Sequence, residues 1–300
     1  MTSNDSTPVA LRRYTLFVAA STLFLIFAGA MVTSTGSGLA VPDWPLSYGM
    51  VMPPMVGGIF YEHGHRMIAA TVGFLTVLQA IFLQLWEPKR LLRRLGWTAV
   101  GAVVAQGVLG GLTVLFLLPK SISISHAALA EIFFCLNVSI AYLTRQHSSS
   151  SAPVAASRVL VALVFLQILI GALMRHLGAG LAIPDFPLSF GRLVPAFTSL
   201  AIAVNYAHRL GAVLVTGAII YVAARTPRFR WPLLAVVALQ LALGALTVWS
   251  GKHPVLTSLH VAGGALTLAV SLMTALGARA SRPQAAARLV PRNVPAEAPA

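Results

Sequence analysis

Residues 36–49 read GSGLAVPDWPLSYG, and residues 178–191 read GAGLAIPDFPLSFG. Ten of the fourteen positions are identical, and three of the four differences (Val41/Ile183, Trp44/Phe186, Tyr48/Phe190) keep the side-chain class. A Pro- and Gly-rich stretch spelled twice in a chain that is 57% hydrophobic and 9% charged marks two copies of one unit. Outward from the two loops the register continues. EHGHR at 62–66 answers NYAHR at 205–209, and QGVLGGLTV at 106–114 answers QLALGALTV at 240–248. Twenty residues past Gln106 and Gln240 stand His126 and His260.

Eight apolar stretches, roughly 14–34, 64–86, 96–117, 125–144, 157–175, 207–224, 231–249 and 257–278, are long enough to cross a hydrocarbon core as helices. Strand-type alternation is absent, and helices satisfy their own backbone in lipid. The sequence therefore predicts an all-α integral membrane protein of eight transmembrane helices, built as two tandem four-helix bundles. Four helices per copy is an even number, so the copies run in parallel across the membrane. The domain reading is a cytoplasmic segment 1–13, a first repeat 14–146, a cytoplasmic linker 147–156, a second repeat 157–278 and a disordered cytoplasmic tail 279–300. Residues 14–34 pair with 157–175, with Gly29 and Gly171 at the same offset from their loops, so the first span is kept as a helix and not read as a cleaved leader.

The net charge of +14 does not point to nucleic acid. Fifteen of the 21 basic residues fall in short segments at one set of span ends, leaving Lys120, Arg175, Arg192, Lys252, Arg66 and Arg209 at the other. By the positive-inside rule both termini are cytoplasmic and the repeated loops face outward, with a bacterial inner membrane as the simplest address. Cys135, the single cysteine, has no intrachain partner.

Within the repeat, Gly110, Gly111, Gly244 and Ala245 read as small residues that let helices approach. Gln106 and Gln240 read as interhelical hydrogen-bond donors. The prolines around Asp43 and Asp185 shape rigid loops whose aspartates turn the backbone, and Trp44 and Phe186 suit a membrane interface.

Four of the eight histidines, His65, His126, His208 and His260, fall near the outer ends of spans two, four, six and eight. Ionisable side chains in spans mark function. Two imidazoles per four-helix unit suit a haem iron with two axial ligands, whereas zinc takes three or four protein ligands and no further set recurs in both halves. Arg66 and Arg209, each one residue after a ligand histidine, are candidate partners for haem propionates. His63, His147, His176 and His253 read as loop or interface histidines. The halves differ at one chemically telling place: Glu62, three residues before His65, stands where the second half has Asn205. A carboxylate there takes or gives protons, or stabilises developing positive charge, and an asparagine does neither. Glu131, the other acid in a span, lies five residues past His126 and turns away from it.

With these residues in view, the chain resembles the haem A synthases of aerobic bacteria and mitochondria over nearly all of residues 14–278. The resemblance is carried by Glu62–His63–Gly64–His65–Arg66, His126, His208–Arg209, His260 and the GSGLAVPDWP loop. It implies oxidation of the C8 methyl group of haem O to the formyl group of haem A, for use in cytochrome oxidase. It further implies a haem b cofactor on His208 and His260, substrate haem O between His65 and His126, and Glu62 as the catalytic carboxylate. Expected partners are haem O, a haem O synthase, cytochrome oxidase assembly proteins, the lipid bilayer and a further copy of the chain. One departure is plain. Many bacterial relatives carry cysteine pairs in the outer loops, near the positions of Val41 and Ser47 here, and this chain has none, with Ser189 at the matching place. The rival readings are a di-haem membrane cytochrome that only transfers electrons and a non-enzymatic haem-handling assembly factor. A transporter is disfavoured by the absence of broken helices.

Overall fold

A computed structural model describes residues 7–145 and 152–279. Residues 147–151 of the expected linker, His147 among them, and the tail beyond residue 279 lie outside the described residues. Eight helices are seen among them: α1 (Val9–Ser34), α2 (Gly57–Trp86), α3 (Arg90–Leu115), α4 (Lys120–Leu143), α5 (Val154–His176), α6 (Leu200–Ala224), α7 (Arg230–Trp249) and α8 (Pro254–Arg279). All eight are long and apolar enough to cross a membrane, and the protein is a multi-pass membrane protein. Large apolar side chains such as Phe17, Phe74, Trp97 and Val213 are exposed on its flanks, as lipid-facing positions are.

Hydropathy places the starts of the second and sixth spans near residues 64 and 207, but α2 begins at Gly57 and α6 at Leu200. Charged and polar residues delay the apolar signal, yet they do not break the helix when they satisfy one another inside it. Glu62 and Arg66 form an i,i+4 ion pair at 2.7 Å, and Asn205 accepts from Arg209 at 3.0 Å.

Packing runs in two rings. In the first, α1 packs on α2, α2 on α3, α3 on α4 and α4 on α1; in the second, α5 through α8 close in the same order. The first ring buries Val72, Leu83, Leu92 and Ile140, and the second Leu160, Ile219, Leu233 and Leu268. Between the rings, α1 and α4 meet α8 across Ala19, Ala141, Ala265 and Ala269, small residues that allow close approach. Arg175 of α5 donates to Ala30 O and Ser34 Oγ of α1, both at 2.7 Å, and Ser258 of α8 donates to Ser34, tying the rings together. The first ring carries a buried polar chain, in which Gln79 donates to Asn137 at 2.8 Å and Asn137 to Thr22 at 3.2 Å. Val222, Ser271 and Val164 hold the matching places in the second.

The two repeated loops share one conformation. Each has a cis X–Pro bond and a tight turn in which Tyr48–Gly49, or Phe190–Gly191, has positive φ at both central residues. Ser47 and Met50, or Ser189 and Arg192, exchange backbone hydrogen bonds across that turn. Two successive positive φ values require the primed turn type, and Gly49 and Gly191 supply its second central position without a Cβ penalty. The N–H groups of Gly49 and Tyr48 hold the Asp43 carboxyl below the usual carboxylate range, and those of Gly191 and Phe190 do the same to Asp185.

Candidate functional site

His65 and His208 stand eight residues after the first residue of α2 and α6, and His126 and His260 six after the first of α4 and α8. At 1.5 Å per residue these places are about 12 Å and about 9 Å inside the loop-bearing end, so the four lie at similar depth. Each ring rests on a glycine of the neighbouring odd-numbered helix. A methyl placed on Gly29 would come 2.9 Å from His65 Cε1, on Gly110 3.4 Å from His126 Cε1, on Gly171 3.0 Å from His208 Cε1 and on Gly244 3.1 Å from His260 Cε1. All four glycines stand five residues before the last residue of their helices, Ser34, Leu115, His176 and Trp249. Gly110 and Gly244 therefore do more than bring helices close, as the sequence suggested; they make room for an imidazole. Gly111 has a different neighbour, since a methyl there would lie 2.7 Å from the Trp44 ring of the first loop.

The His208 and His260 ring centroids are 6.4 Å apart. Two in-line metal–imidazole bonds of about 2 Å, with about 1.2 Å from each nitrogen to its ring centre, span about the same distance. Nδ1 of His65, His126 and His260 is buried without a hydrogen-bond partner among the described residues. These buried imidazoles, each with a glycine of the neighbouring helix behind it, are of the kind that can serve a haem iron as axial nitrogen ligands. Among the described residues no group of three or more His, Cys, Asp or Glu comes together, so a closed zinc-type site is not formed.

Glu62 is 4% exposed and Asn205 3%. Both Glu62 oxygens are engaged, Oε2 by the Val41 N–H at 2.8 Å and Oε1 by Arg66 at 2.7 Å. Asn205 holds its loop in a corresponding way, donating to Ala179 O at 2.8 Å and Gly180 O at 3.2 Å. The i,i+3 spacing that set Glu62 beside His65 is present, but its carboxylate is seated at the junction of loop and helix, in an ion pair. Glu131 is buried on α4 with Oε2 unpartnered.

The arginines hold the loops. Arg66 donates to the carbonyls of Asp43 (2.8 Å), Leu46 (3.0 Å) and Val41 (3.2 Å) as well as to Glu62. Arg209 donates to those of Asp185, Leu188 and Ile183, each at 2.8 Å, and to Asn205. Most of their fork-shaped donors fold the two loops against α2 and α6. These acceptors are backbone carbonyls, which residue types do not announce.

One loop-contacting histidine is more deeply placed than its sequence suggests, and one glutamine escaped the sequence reading. His63 is buried, with Ser47 Oγ 2.8 Å from its Nδ1, and so ties α2 to the first loop; Tyr206 stands at the matching place in the second half. Gln167 donates to His208 O at 2.7 Å and lies 3.1 Å from His208 Nδ1, while Gln240 donates to His260 O at 2.9 Å, the interhelical bond expected of it. The signal for Gln167 was present: Gln106, Gln167 and Gln240 each precede a histidine-bearing glycine by four residues. Aligning the halves obscures it, because Gln167 pairs with Leu25.

Comparison with known proteins places the chain among relatives. The family model for COX15-CtaA, described as cytochrome oxidase assembly protein, matches residues 12–58 and 55–272. A protein named heme A synthase from Symbiobacterium thermophilum is 33% identical over 220 residues, covering 68% of this chain and 72% of its own length. One of the same name from Shouchella clausii is 31% identical over 223 residues, covering 69% and 72%. A third, from Alkalihalophilus pseudofirmus, is 28% identical over 235 residues.

Proposed function

The chain belongs to the COX15-CtaA family of cytochrome oxidase assembly proteins, among the haem A synthases, and on that premise we propose that it is the oxidoreductase that converts haem O to haem A by oxidising the C8 methyl group to a formyl group. The observation that carries this reading is the fourfold set of histidines, each seated against a glycine, with one pair at an axial-ligand separation. His208 and His260 hold a haem b cofactor, and His65 and His126 hold the substrate haem O. Haem b, when bound, supplies one-electron redox chemistry.

The chain's own residues hold, cover and polarise. The two loops, pinned by Arg66 and Arg209, close the outer ends of the sites and limit water entry. Glu62 sets a buried carboxylate, paired with Arg66, at the mouth of the first site, where it can offset positive charge on the substrate; at the second mouth Asn205 gives Arg209 no such counter-charge. The ion pair with Arg66 fixes the position of the Glu62 charge before the reaction, so none of its stabilisation is lost to reorganisation. With the loops facing outward and both termini cytoplasmic in a bacterial inner membrane, product leaves toward oxidase assembly partners.

The test is expression in a membrane that makes haem O but lacks haem A, followed by extraction and chromatography of the haems. Haem A appears if the proposal is right. Haem O and haem b alone, with electron supply intact, would instead make the protein an electron-transfer cytochrome or a haem carrier.

A further inference from the structure

At the end of the first ring opposite its repeated loop, α3 opens with Arg90, Arg93 and Arg94. Together with Gln84 of α2 and with Trp97 and Thr98, they line an open cavity of about 600 Å3. That size falls within the roughly 300–1,000 Å3 of small-ligand sites. A guanidinium carries five N–H donors, yet among the described residues none of these three has a hydrogen bond, an ion pair or an aromatic ring beneath it. Glu87, the acid closest in sequence, is buried and engaged elsewhere. Its Oε2 accepts from Thr7 Oγ1 at 2.6 Å and its Oε1 from the Lys89 N–H at 3.2 Å.

The second half provides an internal control. Trp231 matches Trp97 there, and the arginines beside it are engaged. Arg225 lies over the Tyr221 ring at 3.8 Å and Arg228 over that of Phe229 at 5.5 Å, while Arg230 donates to Ala223 O and Ala224 O at 3.4 and 3.3 Å. Positive charge that orients the helices is present in both halves. Three unmatched arginines around one cavity are a feature of the first.

The surroundings set the level of that cavity in the membrane. Trp86 and Trp97, 54% and 49% exposed, mark the interface between bilayer and water. Toward the bilayer interior, Gly101, Val104 and Val108 follow Trp97 along one face of α3, and Ile81, Val77 and Phe74 precede Gln84 along one face of α2. All six are exposed, and a methyl on Gly101 would meet nothing within 4 Å. A cationic cavity at headgroup level thus opens onto an apolar surface.

We propose that this cavity binds an anionic phospholipid, with its phosphate on Arg90, Arg93 and Arg94 and its acyl chains along the exposed faces of α2 and α3. Guanidinium forks match phosphate oxygens bidentately, and Gln84 and Thr98 supply polar groups for headgroup hydroxyls. A choline headgroup brings a cation that three arginines repel, so the site selects net negative charge. The assignment does not depend on what the histidines bind.

The experiment mixes the full chain in detergent with dioleoyl phosphatidylglycerol and dioleoyl phosphatidylcholine and counts bound lipid by native mass spectrometry. The wild type should retain phosphatidylglycerol over phosphatidylcholine by about tenfold or more. Arg93→Gln/Arg94→Gln should abolish the preference, and Arg225→Gln/Arg228→Gln should leave it unchanged. Arg93→Lys/Arg94→Lys, which keeps the charge that orients the helices, should weaken it about threefold. In nanodiscs, phosphatidylglycerol brominated on its acyl chains should quench the fluorescence that Trp97→Phe removes more strongly than brominated phosphatidylcholine does. Equal loss of preference in the two glutamine pairs, or no loss in Arg93→Gln/Arg94→Gln, would overturn the proposal. Displacement of the lipid by equimolar glycerol 3-phosphate would do so too, by making the ligand a soluble phosphate ester. No lipid preference in the wild type, with polyglutamate bound instead, would give the cavity to an acidic protein segment and equally overturn it.

Discussion

Glu62 and Asn205 occupy matching places and join helix to loop in the same manner, yet only one brings a charge. Glu62→Gln retains an oxygen for the Val41 N–H and loses the ion pair, so haem content should stay near wild type while haem A formation falls about a hundredfold or more, measured by haem extraction. Asp43 and Asp185 set a pH dependence whose sign is fixed. Their folded-state pKa values lie below the ordinary aspartate value of about 3.9, so their contribution to loop order is complete above it and is lost as pH falls through the lower folded value. Hydrogen exchange of the Tyr48, Gly49, Phe190 and Gly191 amides should accordingly stay slow through pH 4 (roughly) and quicken only below it. At this scale the histidines and the Glu62/Asn205 difference were legible, because a polar residue in an apolar span is conspicuous. The duties of Arg66 and Arg209 were not, since they are defined by the carbonyls of a folded loop.

At the scale of single helices, the odd-numbered elements act as backrests for the even-numbered ones. Gly29→Ala and Gly171→Ala place a methyl 2.9 and 3.0 Å from an imidazole carbon, and each should cost about 1–3 kcal/mol of seating in its own half. Gly110→Ala, at 3.4 Å from His126, should be the mildest of the set, as read by haem content of the purified variants. Gly111→Ala should act elsewhere, pushing Trp44 from its place and raising its fluorescence exposure without emptying either site. Glycine spacing was visible in the sequence, but two of these four residues passed as general helix-approach positions. Their common distance of five residues from a helix end shows only once the helix ends are known, and hydropathy blurred the starts of α2 and α6 by hiding their first turns behind paired polar groups.

Across the whole molecule, the two rings resemble each other at the loop end and differ in the interior, where the first carries Gln79, Asn137 and Thr22 and the second Val222, Ser271 and Val164. The eight spans were legible because lipid imposes length and apolarity on every helix. The join between the rings was not, because alanines at an interface look like alanines anywhere, and Arg175 announces no partner when its acceptors are Ala30 O and Ser34 Oγ. The central claim is a division of labour, with substrate in the first ring and resident haem b in the second. It is tested most directly by extracting haems from two double variants purified from a haem O-producing membrane, His65→Ala/His126→Ala and His208→Ala/His260→Ala. The first should retain haem b and lose haem O and haem A; the second should lose haem b. The reverse assignment, or equal loss of both haems from either variant, would contradict it.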